Sequence, residues 1–200
     1  MKNFNPTAMF ALAQALAITG LSGLASPASA QQKLIPAQSE IAFTSKQMGV
    51  PVDGKFKKFD AQVSFDPKKP EAAKISFAID LASVSLGTAE TEAELFKPDW
   101  FSTKLFPQAT FASTAVKMVG AGKFEVTGKL TIKGVSRDVL VPVALTQGSG
   151  ATAGNTAAVG SFTMKRIDFK IGDGDWGDTS LVANDVQVKF KLNLSGVPAL

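Results

Sequence analysis

The sequence contains no cysteine, no histidine and no tyrosine. Without cysteine, neither a disulfide nor a thiolate nucleophile can form, so stability must come from packing. Without histidine, the chain lacks the commonest general base near neutral pH and a frequent ligand of zinc, copper and iron. These absences exclude histidine-based triads, Cys-His pairs, zinc-protease motifs and haem ligation through histidine. Carboxylate, lysine and serine chemistry is left, and no residue spacing marks such a site.

The charged residues also lack a pattern. The chain has 21 Lys and Arg against 17 Asp and Glu, a net charge of +4, and its lysines are scattered rather than clustered. No basic motif is interleaved with stacking aromatic residues, which disfavours nucleic-acid binding.

The N-terminal segment has the three-part layout of a secretory signal. Lys2 precedes an apolar, alanine-rich stretch over residues 8–24, and a small-residue triplet follows at residues 28–30. A transmembrane anchor is the competing interpretation, but Gln14 and Gly20 dilute the stretch and make it a poor span for a hydrocarbon core about 30 Å thick. The layout predicts export through a cleavable signal.

We therefore expect a signal peptide over residues 1–30, with cleavage between Ala30 and Gln31. The remaining residues, 31–200, have a length typical of one domain. The mature protein is expected to work outside the cytoplasm.

From Ser39 onward, apolar residues recur mostly with a period of two, the spacing of a strand with one buried face. The alternation is cleanest over residues 186–194, and a change of parity near Lys57 and Lys58 predicts a bulge or bend. About eight such segments, separated by turn residues, predict an antiparallel β-barrel or sandwich.

One segment breaks the strand pattern. Between Thr88 and Phe96, Thr91 and Glu94 stand at capping-box spacing, and the segment stops before Pro98. The pattern predicts a short helix that covers one end of the barrel.

Short motifs spread over the mature chain carry a resemblance whose specificity lies in their order and spacing. They are residues 43–49 (FTSKQMG), 52–56 (VDGKF), 65–67 (FDP), 99–102 (DWFS), 126–134 (VTGKLTIKG) and 166–169 (RIDF). In these the chain resembles the YceI family of secreted bacterial lipocalin-like proteins.

The resemblance implies an extended lipocalin-like antiparallel β-barrel, usually periplasmic, that holds a long isoprenoid or another lipid-like chain in its interior. Gln47 and Glu94 stand where members often carry histidine, so a head-group or metal role of those imidazoles does not transfer to this chain. The branch it looks like is found beside or fused to cytochrome b561 domains, which implies quinone or redox partners.

Inward-facing apolar side chains are then the candidates for contact with the lipid tail, although each one taken singly is more often part of an ordinary core. They are Phe43, Phe56, Val63, Phe65, Phe77, Ile79, Leu95, Trp100, Phe101, Phe111, Val126, Leu130, Val141, Phe162 and Phe190. Lys46 and Arg166 are the candidates for a polar head group, with exposed cations at strand ends as the alternative.

Two acidic segments invite other functions. The loop over residues 173–178 resembles a calcium loop, but Asn184 stands where the bidentate glutamate is required, so no metal site is expected. Glu90, Glu92 and Glu94 lie where a helix dipole favours negative charge, a commoner role than acid–base catalysis.

The sequence thus predicts a non-enzymatic periplasmic carrier of a polyisoprenoid or an isoprenoid quinone, without cofactor or metal. One alternative is an interaction protein whose barrel is filled by its own phenylalanines and whose partner is a membrane redox protein. The other is a hydrolase that uses Glu92 or Glu94.

Overall fold

Strands with alternating apolar residues build nearly all of the fold. The computed structural model describes residues 32–200, so the predicted signal peptide and its cleavage site lie outside the described residues. The strands are β1 (Lys33–Leu34), β2 (Glu40–Gln47), β3 (Val50–Phe56), β4 (Phe59–Ser64), β5 (Lys74–Asp80), β6 (Val84–Ser85), β7 (Gln108–Gly120), β8 (Lys123–Ile132), β9 (Val135–Gln147), β10 (Asn155–Lys165) and β11 (Asp185–Ser195). The helix α1 spans Ala89–Leu95.

All the strands belong to one curled antiparallel sheet with the order β4-β5-β7-β8-β9-β10-β11-β2-β3-β6, and β1 pairs with β11 beside β2. The predicted all-β, lipocalin-like class with one short helix is confirmed. The described residues form eleven strands where the sequence predicts about eight, and two of them, β1 and β6, have only two residues.

The edge strand β4 lies beside β1, the short strand that pairs with β11. The Gln32 side chain donates to the Phe65 carbonyl oxygen at 2.6 Å and accepts from the Phe65 N–H at 2.8 Å. Because Gln32 immediately precedes β1 and Phe65 immediately follows β4, this pair of hydrogen bonds joins β4 to β1.

The bend predicted near Lys57 and Lys58 separates β3 from β4. The Lys58 N–H donates to the Ser83 hydroxyl oxygen at 2.9 Å, which holds the bend against the residues before β6. The parity change allows both Phe56 and Phe59 to pack against the interior of the sheet.

The helix α1 forms as predicted, but its start differs. Thr88 is the N-cap residue, and its hydroxyl bonds that of Thr91 at 2.7 Å, so the predicted capping box of Thr91 and Glu94 is wrong. Glu94 pairs instead with Lys97 at 2.5 Å. In the described part of the chain, no helix is long and apolar enough to cross a membrane.

Candidate ligand-binding cavity

The curled sheet encloses a cavity of about 390 Å³, which falls in the range of roughly 300–1,000 Å³ that is usual for ligand pockets. Strand β11 lines it with the alternate residues Val186, Val188, Phe190, Leu192 and Leu194. These span eight residue steps, or about 26 Å of strand at roughly 3.3 Å per residue. The cavity therefore runs along most of the length of the barrel wall.

Every residue predicted from the sequence to contact a lipid tail lies in the cavity wall. The wall also contains residues absent from the prediction, among them Ser45, Val52, Leu86, Trp176 and Val182. The alternation of β11 could have identified its inward residues, whereas the loop residues Trp176 and Val182 carry no periodic signal. Contact with a ligand stays a prediction for all of them.

Polar side chains are confined to one end of this wall. They are Ser45, Gln47, Thr91, Glu94 and Arg166. At the opposite end the wall is apolar, and Phe65 packs edge-on against Phe124 with ring centroids 5.1 Å apart. The cavity therefore has a polar end and an apolar end.

Two side chains mark the opening. Gln47, the last residue of β2, and Thr91, in α1, are the exposed residues among those that line the cavity. Glu94 lines the same end. Gln47 and Glu94 thus both lie at the mouth.

The chain has two tryptophans, and both line the cavity near its mouth. Their ring centroids are 5.5 Å apart. Trp100 is positioned by a turn that follows α1, in which its backbone N–H donates to the Lys97 carbonyl at 3.1 Å. In residues 32–200, Trp100 Nε1 is one of two buried side-chain polar atoms without a hydrogen-bond partner. It is therefore an unsatisfied donor beside the cavity.

Arg166 corrects the sequence prediction, because its side chain anchors backbone rather than reaching toward a head group. It is 1% exposed and begins a 3-10 helix, Arg166–Phe169, that follows β10. Its guanidinium makes five hydrogen bonds, which account for all five of its N–H donors. The acceptors are the carbonyls of Ala183 (3.1 Å), Ile171 (2.9 Å), Gly172 (3.0 Å), Trp176 (2.7 Å) and Val182 (2.7 Å).

Burial lowers the pKa of Arg166, and nearby Asp173 opposes that shift. Asp173 itself pairs with Lys133 at 3.3 Å. Arg166 therefore fixes the loop over residues 171–183 against the mouth, and carbonyl dipoles rather than a carboxylate surround its charge.

Lys46 is also misplaced by the sequence prediction. Successive side chains of a strand point to opposite faces. Since Ser45 and Gln47 line the cavity, Lys46 between them points away from it, and it is exposed. Ser45 and Gln47, rather than Lys46, line the mouth.

The acidic segments have structural partners. Glu92 accepts from the Leu86 N–H at 2.9 Å, a bond that lowers the pKa of its carboxyl. Asp178 accepts from both the hydroxyl and the N–H of Ser180, which lowers its pKa as well. No group of three or more acidic side chains within residues 32–200 is arranged to hold a metal ion.

Fold and cavity together define a lipocalin-like barrel with a long apolar interior. The YceI-like domain family matches residues 33–194, and the chain belongs to this family. The chain is 37% identical to Protein YceI of Escherichia coli O157:H7 over 121 residues, which are 58% of this chain and 63% of that protein. It is 33% identical over 143 residues to a UPF0312 protein of Pseudomonas syringae pv. syringae, with 70% of this chain and 72% of that protein covered.

Solved structures agree with this assignment. Burkholderia cenocepacia BcnA superposes with a TM-score of 0.76 at 44% identity, over 80% of this chain and 98% of BcnA. A polyisoprenoid binding domain from Saccharophagus degradans, implicated in plant cell wall breakdown, superposes with a TM-score of 0.66 over 84% of this chain and 99% of that domain. At 18% identity, the second likeness concerns the fold alone.

Proposed function

We propose that the protein is a periplasmic, non-catalytic carrier that withdraws the tail of a polyisoprenoid or an isoprenoid quinone from water into its barrel. The observation that carries this proposal is the continuous apolar wall between the mouth at Gln47 and Thr91 and the closed end at Phe65 and Phe124. Such a cavity offers no partner to a polar molecule along most of its length, but it matches a hydrocarbon chain.

The length of the cavity favours an isoprenoid over an ordinary fatty acid. A membrane acyl chain covers one leaflet, about half of a hydrocarbon core roughly 30 Å thick. The β11 wall is longer, at about 26 Å. At roughly 0.8 kcal/mol per buried methylene, a tail of several isoprene units supplies on the order of 10 kcal/mol before ordering costs are subtracted.

The polar end favours a neutral head group. Trp100 Nε1 is a buried donor without a partner, and Gln47 and Ser45 add uncharged hydrogen-bonding groups. The donors of Arg166 are engaged by backbone, and the carboxylate of Glu94 lies in the wall. A quinone carbonyl or a hydroxyl can accept from the indole N–H, whereas a phosphate would lose its hydration shell without gaining a free cationic donor.

Export and a redox partner complete the proposal. In this proposal, a signal over residues 1–30 directs the carrier to the periplasm, where a membrane cytochrome b561-type protein delivers or receives a quinone. Intact-mass measurement on periplasmic protein tests the first part. A mature chain that begins at Gln31 supports it, and a chain that retains Met1 contradicts it.

Intrinsic fluorescence tests the binding function directly, because both tryptophans lie at the mouth. Delipidated protein is titrated with an isoprenoid quinone, and we expect saturable quenching together with a rise in the unfolding midpoint. Trp100→Phe should weaken binding, since it removes the indole donor, whereas a polyprenyl phosphate of equal tail length should bind the wild type more weakly than the quinone does. Absence of both quenching and stabilisation by either lipid would leave the interaction-protein alternative in its place.

A further inference from the structure

Three large apolar side chains are exposed together beside the cavity mouth. Met48 is 71% exposed, Val50 63% and Leu181 43%. Met48 lies in the turn between β2 and β3, Val50 is the first residue of β3, and the Met48 N–H donates to the Leu181 carbonyl at 2.7 Å. Single exposed apolar residues are common on proteins, but a local group of them marks an interaction surface. We call these three residues the apolar rim.

The apolar rim continues the cavity wall outward. Met48 follows Gln47, and Leu181 precedes Val182, while Gln47 and Val182 both line the cavity and form a β-bridge with each other. Val50 lies on the same face of β3 as Val52, one alternation beyond the lined part of that strand. An apolar path therefore leads from the interior over the mouth to the tip of the hairpin.

The backbone of Met48 has a conformation that is unfavourable for a large apolar residue. Met48 has φ 49° and is followed by Gly49 at φ 81°, a two-residue turn in which both residues have positive φ. Asparagine, aspartate and glycine suit such positions, whereas a large apolar residue is strained there and also exposed. Lys133 and Gly134 form the same kind of turn between β8 and β9, so what distinguishes Met48 is a large apolar side chain exposed at such a position.

The size and charge of the apolar rim select its partner. A stable contact with a second copy needs about 800 Å² from each partner, which three side chains cannot supply. The Lys46 carbonyl accepts from the Ala183 N–H and the Asp178 carbonyl from the Leu181 N–H, which brings one cation and one anion close to the rim. The loop before Leu181 also carries exposed Asp173 and Asp175, so no positive field attracts an anionic surface. Insertion into a neutral bilayer requires only apolar contact, which the rim provides.

We propose that the apolar rim inserts into the surface of a neutral phospholipid bilayer and brings the cavity mouth against the membrane, so that an apolar ligand moves between bilayer and barrel without crossing water. The inference rests on the proposed carrier function, because a mouth that admits a lipid is what gives the docking its use.

Flotation with phosphatidylcholine vesicles tests the docking. The test variant combines Met48→Ser, Val50→Ser and Leu181→Ser. The control combines Val119→Ser, Leu140→Ser and Val159→Ser, which removes comparably exposed apolar residues away from the mouth. We expect wild type and control to float with the vesicles and the rim variant to partition at least about tenfold less, because each inserted side chain adds apolar burial.

Besides a failure of wild type to bind vesicles, three outcomes would overturn the docking proposal. The first is a rim variant that partitions like wild type. The second is vesicle binding that requires phosphatidylglycerol. The third is a dimer, seen by sedimentation, that is present in wild type and control but absent in the rim variant. Quinone quenching of tryptophan fluorescence, measured without vesicles, separates docking from ligand binding. If wild type binds quinone but not vesicles, the carrier function stands and the docking proposal fails. If wild type binds vesicles but not quinone, the docking proposal stands and the carrier function fails.

Discussion

Phe43 on β2 lies across from Gly54 on β3, and its ring occupies the space that a Cβ atom at residue 54 would need. Phe190 lies across from Gly160 in the same way. The Phe111 ring also occupies the Cβ space of Gly128, although Gly128 is diagonal to it because Phe111 pairs with Leu130. In each pair the ring lies along the wall of the barrel over the glycine of a neighbouring strand, rather than across the interior. This arrangement explains how a chain with 15 phenylalanines can keep a cavity open.

Gly54→Ala should push the Phe43 ring into the cavity. The three atoms nearest to the new methyl group would belong to the side chains of Phe43 and Leu86, and both of these line the cavity. We expect weaker quinone binding and a loss of about 1–3 kcal/mol of stability from overpacking. Gly177→Ala is the control, since nothing lies within 4 Å of its added Cβ. Equal quinone affinity in both variants would show that the ring does not shape the cavity.

Phe77 and Phe169 should respond differently to truncation. Phe77 lines the cavity, so Phe77→Ala enlarges a space that is already open and should cost near or below the low end of roughly 3–5 kcal/mol. Phe169 is 2% exposed and packs in the core outside the cavity wall, so Phe169→Ala should cost the full amount. Urea unfolding measures both, and a larger loss for Phe77→Ala would indicate an interior that is packed rather than open.

Arg166→Lys should be strongly destabilising although it keeps the charge. An ammonium has three donors in place of the five that hold carbonyls of residues 171–183. Buried carbonyls left unpaired, together with a poorly matched buried cation, should cost about 3 kcal/mol or more. Lys165→Arg, at an exposed neighbouring position, provides the control in the same urea titration. A loss below 1 kcal/mol for Arg166→Lys would contradict the anchoring role.

Glu92 should contribute to stability in a pH-dependent way. The hydrogen bond from the Leu86 N–H lowers the pKa of its carboxyl below 4.5, so its contribution is present above that pH and is lost as the pH falls through the folded pKa. Glu92→Gln should therefore differ from wild type more at pH 7 than at pH 3. An NMR titration midpoint for Glu92 at or above 4.5 would contradict the hydrogen bond.

The alternation of apolar residues is enough to predict the long strands and their inward residues that line the cavity, because a period of two records which face is buried. It leaves a barrel and a sandwich both open, and it gives no signal for the wall residues outside the strands, such as Trp176 and Val182. The same rule would have placed Lys46 outside, since Phe43, Ser45 and Gln47 share the opposite face. The role of Arg166 could not be predicted in this way. Its acceptors are carbonyls between residues 171 and 183, which no side-chain pattern identifies and only the folded loop brings together.

Native mass spectrometry of the protein purified from its own host, before and after organic extraction, tests the carrier function most directly. We predict an adduct that extraction removes and that is identified as a polyisoprenoid or an isoprenoid quinone, with the delipidated protein regaining it on incubation with the extract. A single mass equal to the polypeptide alone, together with no adduct after incubation with isoprenoid lipids, would contradict the carrier function.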